Sequence, residues 1–241
     1  MTAADASGDP PVVIAIDGPA ASGKSSTSHW VASVLGYRHV DSGALYRAAT
    51  AAAIRTGEPA DAWSEESVLN AARAVSLNPR ETSFAPCIGG REVESEIRGA
   101  EVTRNVSRVA QMPRVRAWVN SLVQDTATRH NVVVDGRDMG TAVFPHAALK
   151  VFLIADPWER ARRRLTQQLG RRPTDPEIAE ETDRIVQRDA NDATQTVQAK
   201  DAVLIDTTYL TQPEQVDRIV ALARAVTHRG SEGSPVDDQA R

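Results

Sequence analysis

An unbroken apolar run, Val12-Val-Ile-Ala-Ile16, gives way at once to Asp17-Gly18-Pro-Ala-Ala-Ser-Gly23-Lys24-Ser25-Ser26. No other feature of the chain constrains its fold so tightly. Five consecutive apolar residues without alternation read as a strand buried on both faces, which calls for helices on either side of a parallel sheet. The following residues match Gly-x4-Gly-Lys-Ser with no deviation, and a helix is predicted from Lys24 to Leu35, stopped by Gly36. Glycines at these positions let the backbone curl so that successive N–H groups point inward, and the helix N-terminus adds its positive end. Such a loop binds phosphate oxygens. Gly18, Pro19, Ala20, Ala21, Ser22, Gly23, Lys24, Ser25 and Ser26 are therefore expected to hold the phosphates of a nucleotide. Lys24 would reach the outer phosphates, and the Ser25 hydroxyl would ligate Mg²⁺. A strand ending in an acid should lie alongside to complete the metal shell. Val132-Val-Val-Asp135 supplies it, whereas Asp17 is expected to hydrogen-bond the loop backbone.

The same rhythm of apolar strand, turn and amphipathic helix recurs. Strands are predicted at 37–40, 132–134, 149–154 and 202–205, with a helix over 44–56. Pro113 opens a helix whose Val115, Trp118, Val119, Leu122 and Val123 share one face. Asp156-Pro157 starts another that Gly170 closes, and Thr174/Glu177 and Thr211/Glu214 are capping boxes for two more. Five strands alternating with helices imply an α/β fold with a parallel sheet flanked by helices. Residues from about 75 to 105 break the rhythm with short β-like pieces and a Gly89-Gly90 turn, as a lobe inserted at the sheet edge would. The ends, 1–11 and 229–241, are expected to be disordered tails around a single domain over 12–228.

Composition narrows the function classes. The net charge of −4 argues against a bulk nucleic-acid binder. No apolar run approaches the ~20 residues that span a bilayer. No secretory signal pattern is read at the start, so a cytoplasmic protein is expected. Cys87 stands alone, which rules out an intrachain disulfide or cysteine zinc cluster, and the five histidines show no ligand spacing. Lysine occurs only at 24, 150 and 200, which leaves 25 arginines among 28 basic residues. Planar guanidinium forks suit phosphate, and several gather in short segments.

Three further segments identify the acceptor. Asp41-Ser42-Gly43-Ala44-Leu45-Tyr46-Arg47 follows the second strand, Asp135-Gly136-Arg137-Asp138-Met139-Gly140-Thr141 follows the third, and Arg188-Asp189-Ala-Asn-Asp192 comes near the end. With Ser107 to Arg116, including Pro113-Arg-Val-Arg116, they resemble the bacterial cytidylate kinases in order and spacing from about residue 12 to 226. That resemblance implies a P-loop NTPase-type sheet of five strands and a kinase that moves the ATP γ-phosphoryl group onto CMP or dCMP with Mg²⁺. It further implies that Ser42, Tyr46 and Arg47 face the CMP phosphate side, Ser107, Arg116 and Asp138 the pyrimidine, and Arg137 the acceptor phosphate. Arg188 and Asp192 would meet the sugar and the transferring phosphate, and the 75–105 insertion would be a CMP-binding lobe. The resemblance implies Lys24, Arg137 and Arg188 as the catalytic cations, Ser25 and Asp135 as the Mg²⁺ ligands, and a helical lid over about 157–195 whose basic helix carries Arg163 to ATP. Partners would then be the substrates ATP and CMP or dCMP, with no nucleic acid and no membrane, and the protein is expected to be a monomer. Phosphoryl transfer fits these residue types, because a phosphate acceptor needs positioning and cations rather than a strong base.

The chain also departs from the family. Where the family reads R-D-x-x-D-S-x-R, this chain has Ala193 and Gln195. A neutral amide cannot give phosphate a charge-assisted fork, so a lid short of one cation is expected, with modest turnover that an arginine at 195 would raise. Two alternatives follow: a kinase for another nucleotide such as UMP, or a nucleotide-binding protein whose altered lid has cost it turnover. The absence of an N-K-x-D motif argues against a GTPase.

Overall fold

The computed structural model describes residues 10–231, with side chains described through Thr227. Most of both expected tails lies outside the described residues.

The strands are β1 (Val13–Asp17), β2 (Arg38–Asp41), β3 (Val75–Pro79), β4 (Phe84–Ile88), β5 (Arg91–Glu92), β6 (Val132–Gly136), β7 (Leu149–Ile154) and β8 (Val203–Asp206). The helices are α1 (Lys24–Leu35), α2 (Ser42–Ile54), α3 (Glu65–Ala72), α4 (Ala100–Ala110), α5 (Pro113–Thr126), α6 (Pro157–Leu169), α7 (Asp175–Asp192) and α8 (Gln212–Ser231). One sheet runs β2-β6-β1-β7-β8, all parallel, with β1 at its centre. Alternation explains its two covers. Ile14 and Ile16 of β1 and Val133 of β6 pack with α1 and α8 through Val31, Ile219 and Val220. Ala15, Val132 and Val134 face the other way, into Leu45, Val115, Val119 and Val123 of α2 and α5. An apolar run without polar interruption is the pattern that such double burial requires.

The insertion forms a three-stranded antiparallel sheet, β3-β4-β5, beside the β2 edge, where the His39 N–H donates to the Thr82 carbonyl at 2.9 Å. The rhythm returns sooner than expected, because α4 begins at Ala100 and packs on α2. Helix α2 starts two residues ahead of the reading: Asp41 is its N-cap and accepts from Ala44 N at 3.0 Å, so Ser42-Gly43 is first turn rather than loop. Both capping boxes are present, with Glu177 Oε2 2.7 Å from Thr174 N and Glu214 Oε2 2.7 Å from Thr211 N. Helices α6 and α7 form a hairpin with its own apolar seam of Ala161, Ile178 and Ile185. Among the described residues no helix is long and apolar enough to cross a membrane.

Candidate active site

The C-terminal ends of β1, β2 and β6 converge on one cleft of about 1850 Å³, roofed by α6 and α7. Its floor is the loop from Gly18 to Gly23. Gly18 has φ +149°, and a Cβ there would sit 2.2 Å from the Leu153 carbonyl oxygen, so only glycine lets the loop leave β1 this close to β7. Gly136 is equally confined: a Cβ would meet the Ser42 hydroxyl at 2.6 Å. Lys24 lies buried along the loop, with Nζ donating to the Pro19 carbonyl at 2.6 Å. Burial, reinforced by Arg137, pulls its ammonium down to about 7. A cation held this way is better accommodated once an anion lies in the loop.

At the start of α1 the Ser25 hydroxyl lies 2.8 Å from Asp135 Oδ2 and 3.3 Å from Asp41 Oδ2. Burial and the neighbouring Asp135 charge both push the Asp41 carboxyl up. Two neighbouring carboxylates meeting one hydroxyl, Asp135 buried and Asp41 half-buried, are hard oxygen donors. They fit Mg²⁺, which keeps waters and takes phosphate oxygens as its remaining ligands. Asp135 is fixed from behind by His39, whose Nε2 lies 2.6 Å from Oδ1. Burial opposes the charged ring, yet the bond to Asp135 leaves the His39 pKa raised. Asp41 went unassigned in the sequence reading, although a carboxylate ending a second parallel strand beside Asp135 was the available signal.

Asp17 does not bond the phosphate loop, contrary to the reading. It accepts from Met139 N at 2.8 Å and Gly140 N at 2.7 Å, and burial pushes its carboxyl up to about 6. The reason is register: Asp17 pairs with Gly136, so its side chain meets the turn that follows β6.

Above the floor, Arg137 Nη1 donates to the Gly18 carbonyl at 3.2 Å, while Nε and Nη2 lie 3.4 Å from Asp192 Oδ2. Arg188 Nε is 3.8 Å from the same oxygen. Burial, with Arg137 beside it, lowers the Arg188 pKa to about 10. One carboxylate thus gathers two cations at contacts longer than a good hydrogen bond, so that a phosphate can take both.

Deeper in the cleft, Arg116 pairs with Asp138 and stands over the Tyr46 ring, 5.8 Å from its centroid. Arg116 Nη1 also donates to the Ala110 carbonyl at 3.1 Å. Ser107 on α4 lines the same corner. Burial pushes the Tyr46 hydroxyl up to about 12, so it stays a neutral donor. Ser42 is buried and donates to the Asp135 carbonyl at 2.8 Å. Arg47 is held by the Ile97 carbonyl at 3.1 Å and Thr103 Oγ1 at 3.0 Å, on the cleft's insertion side. Arg163 stands at the opposite end, its Nη2 donating to the Thr207 and Thr208 carbonyls at 2.5 and 2.8 Å. Ser26 is exposed and turns its hydroxyl back to the Gly23 carbonyl at 3.0 Å. The candidate residues from Ala20 onward, Asp135 included, line this single cleft, while Gly18 and Pro19 contribute carbonyls behind it.

A brace unassigned from the sequence joins the helical hairpin to the loop. Asp189 of α7 accepts from Ala20 N at 3.0 Å and pairs with Arg160 of α6 at 2.5 Å, and Arg160 also donates to the Ala20 carbonyl at 2.8 Å. The helical hairpin is thereby tied to the backbone of the phosphate loop.

A glycine loop at the tip of a central parallel strand, an acid on the neighbouring strand and a helical hairpin over the cleft define an α/β kinase of the P-loop class. The fold agrees with that of a gluconokinase from Sinorhizobium meliloti, which it matches with a TM-score of 0.50 at 16% identity, over 93% of this chain and 98% of that one. The chain belongs to the cytidylate kinase family, whose model matches residues 14–225. Cytidylate kinases of Mycolicibacterium paratuberculosis and Exiguobacterium sibiricum are each 41% identical to it, over 88% of this chain and 95% and 96% of theirs. That of Chloroherpeton thalassium is 40% identical over 89% of this chain and 94% of its own.

Proposed function

We propose that this chain is a (d)CMP kinase, transferring the γ-phosphoryl group of ATP to CMP or dCMP in line, with Mg²⁺ bound at Ser25, Asp135 and Asp41. The observation that carries this reading is the shared turn of α7. Asp192 holds Arg137 and Arg188 directly over the phosphate loop, while the Arg116–Asp138 pair lies beside them in the same cleft. Two phosphates and one base can therefore be gripped at once.

ATP would lie with its phosphates in the 18–26 loop and its base toward Arg163. Bound Mg²⁺ would offset charge on the outer phosphates. Lys24 straightens from the Pro19 carbonyl onto those phosphates. Arg137 and Arg188 leave Asp192 for the acceptor phosphate and the equatorial oxygens, where charge accumulates in the transition state. No base is needed, since the acceptor oxygen is already anionic. The Asp138 carboxylate can accept from the cytosine amino group while Arg116 donates to the ring edge, and uracil, with a carbonyl in place of the amine, sets one acceptor against another at that carboxylate. Closure of the α6–α7 hairpin excludes water that would otherwise take the phosphoryl group. The proposal includes action as a monomer, and the two substrates suit a cytoplasmic enzyme.

A coupled assay offering CMP, dCMP, UMP, AMP and GMP side by side with ATP tests this. CMP and dCMP should dominate, and a preference for any other acceptor refutes it. ATP binding without turnover would instead favour a nucleotide-binding protein.

A further inference from the structure

Gln195 follows the last turn of α7, in a turn whose backbone closes on itself: the amides of Gln195 and Thr196 both donate to the Asp192 carbonyl, at 3.0 and 2.9 Å. The same turn carries the Asp192 carboxylate that gathers Arg137 and Arg188. The Gln195 side chain leaves that cluster. Its Oε1 accepts from Arg116 Nη1 at 2.9 Å, and it lines the cleft half-buried. Arg116 is thus held on four sides, by Asp138, the Ala110 carbonyl, the Tyr46 ring and Gln195. Of these only Gln195 comes from the lid hairpin's end of the chain. Tyr46 and Asp138 follow strands of the main sheet, and Ala110 and Arg116 belong to the α4–α5 pair.

We propose that Gln195 is a positioning residue for the acceptor base: its amide oxygen fixes the Arg116 guanidinium against Asp138 and links the base pocket to the turn that sets the phosphate cations. The proposal rests on the reading of this cleft as the CMP pocket. The physical argument is one of acceptors. A guanidinium carries five N–H donors in a rigid fork, and here its plane is set by acceptors for both Nη1 hydrogens, Gln195 Oε1 and the Ala110 carbonyl, together with Asp138 on Nη2. With Gln195 removed, Nη1 keeps only the Ala110 carbonyl and the fork can rotate off the plane in which it and Asp138 would meet a pyrimidine edge. A neutral amide suits this place, because a cation would stand against Arg116 at hydrogen-bond distance and repel it. The sequence expectation for position 195 is thereby reversed: an arginine there would disturb base binding rather than add a phosphate cation.

Steady-state kinetics of Gln195→Ala, Gln195→Glu and Gln195→Arg, with calorimetric CMP binding in the absence of ATP, test it. In Gln195→Ala the KM and Kd for CMP should rise about tenfold, the lower end for one hydrogen bond to a charged group, with KM for ATP within about twofold. The CMP-to-UMP preference should narrow with it. Gln195→Glu keeps an acceptor for Arg116 and should restore both the CMP affinity and the preference. Gln195→Arg should weaken CMP more than Gln195→Ala does. A Gln195→Ala enzyme with unchanged CMP affinity and preference overturns the proposal. So does a Gln195→Arg enzyme whose kcat rises at unchanged CMP affinity, since that puts position 195 on the transferring phosphate. Equal losses for CMP and ATP in all three variants also overturn it, by showing a merely structural residue. The wild-type assay separates failures: a chain that does not phosphorylate CMP defeats the underlying reading, whereas one that does leaves these outcomes to judge Gln195 alone.

Discussion

On the proposed reading, the donor and acceptor halves of this cleft are built on opposite plans. The donor half is nine consecutive residues, Gly18 to Ser26, whose working groups are mostly backbone N–H donors at a strand–helix junction. The acceptor half draws Tyr46, Ser107, Arg116, Asp138 and Asp192 from α2, α4, α5, the turn after β6 and the end of α7. The difference follows from what is bound. Phosphate is symmetric and charged, so any ring of N–H groups with a cation beside it will serve. A pyrimidine edge must be distinguished from another by donor and acceptor placement, and side chains aimed from several directions are needed for that.

The comparison can be broken most sharply at Lys24. Lys24→Ala should lower kcat/KM for CMP phosphorylation by about 10³-fold or more while the circular dichroism spectrum and cooperative melt are kept, since the lost charge acts on the transition state. Turnover near that of the wild type would remove the loop from the chemistry. On the acceptor side, Asp138→Ala leaves Arg116 without its carboxylate. KM for CMP should rise about tenfold or more with KM for ATP little moved, and the CMP-to-UMP preference should shrink. Equal changes in both KM values would make Asp138 architectural and erase the contrast between the halves.

The brace that joins the halves predicts a smaller effect. Asp189→Ala removes the acceptor for Ala20 N and the partner of Arg160, so KM for ATP should rise about threefold to tenfold while CMP binding measured alone stays the same. If CMP binding weakens just as much, the hairpin reports to the acceptor side and not to the loop. Smallest of all is the lid's exposed rim. Hydrogen bonds from Arg171 and Thr174 hold the Glu177 carboxyl down to about 2. A depressed folded-state pKa stabilises above the ordinary glutamate range and loses that contribution as pH falls through the folded value. Glu177→Gln should therefore lower Tm slightly at pH 7, and the gap from wild type should narrow as pH is taken below about 4.5 toward 2. A gap that stays constant with pH would mean that the charge of Glu177 does not contribute.

Legibility in the sequence followed the same division. The strand–loop–helix unit, the stop at Gly36, the Thr174 and Thr211 caps and the strand over Leu149–Ile154 could all be read because each is specified by residues within one turn of each other. Double burial of β1 and β6 was visible as apolar runs. Asp17 misled because nothing local tells whether a carboxylate at a strand end turns to its own loop or to its neighbour's, and pairing of Asp17 with Gly136 decided it. Asp41 and Asp189 went unread for a similar cause: their partners, Ser25 at 3.3 Å and Ala20 at 3.0 Å, are 16 and 169 residues away.

By itself the sequence determined the phosphate loop, the alternation of strands and helices, and the set of charged groups available to a nucleotide kinase. Local spacing suffices where backbone groups do the binding. Only the tertiary structure decided which cation meets which carboxylate: that Asp192 gathers Arg137 and Arg188, and that Gln195 turns from them to Arg116. Side-chain pairing depends on where five separate elements end in space, and packing of the two apolar cores against the sheet, rather than any residue's neighbours in the chain, sets those ends.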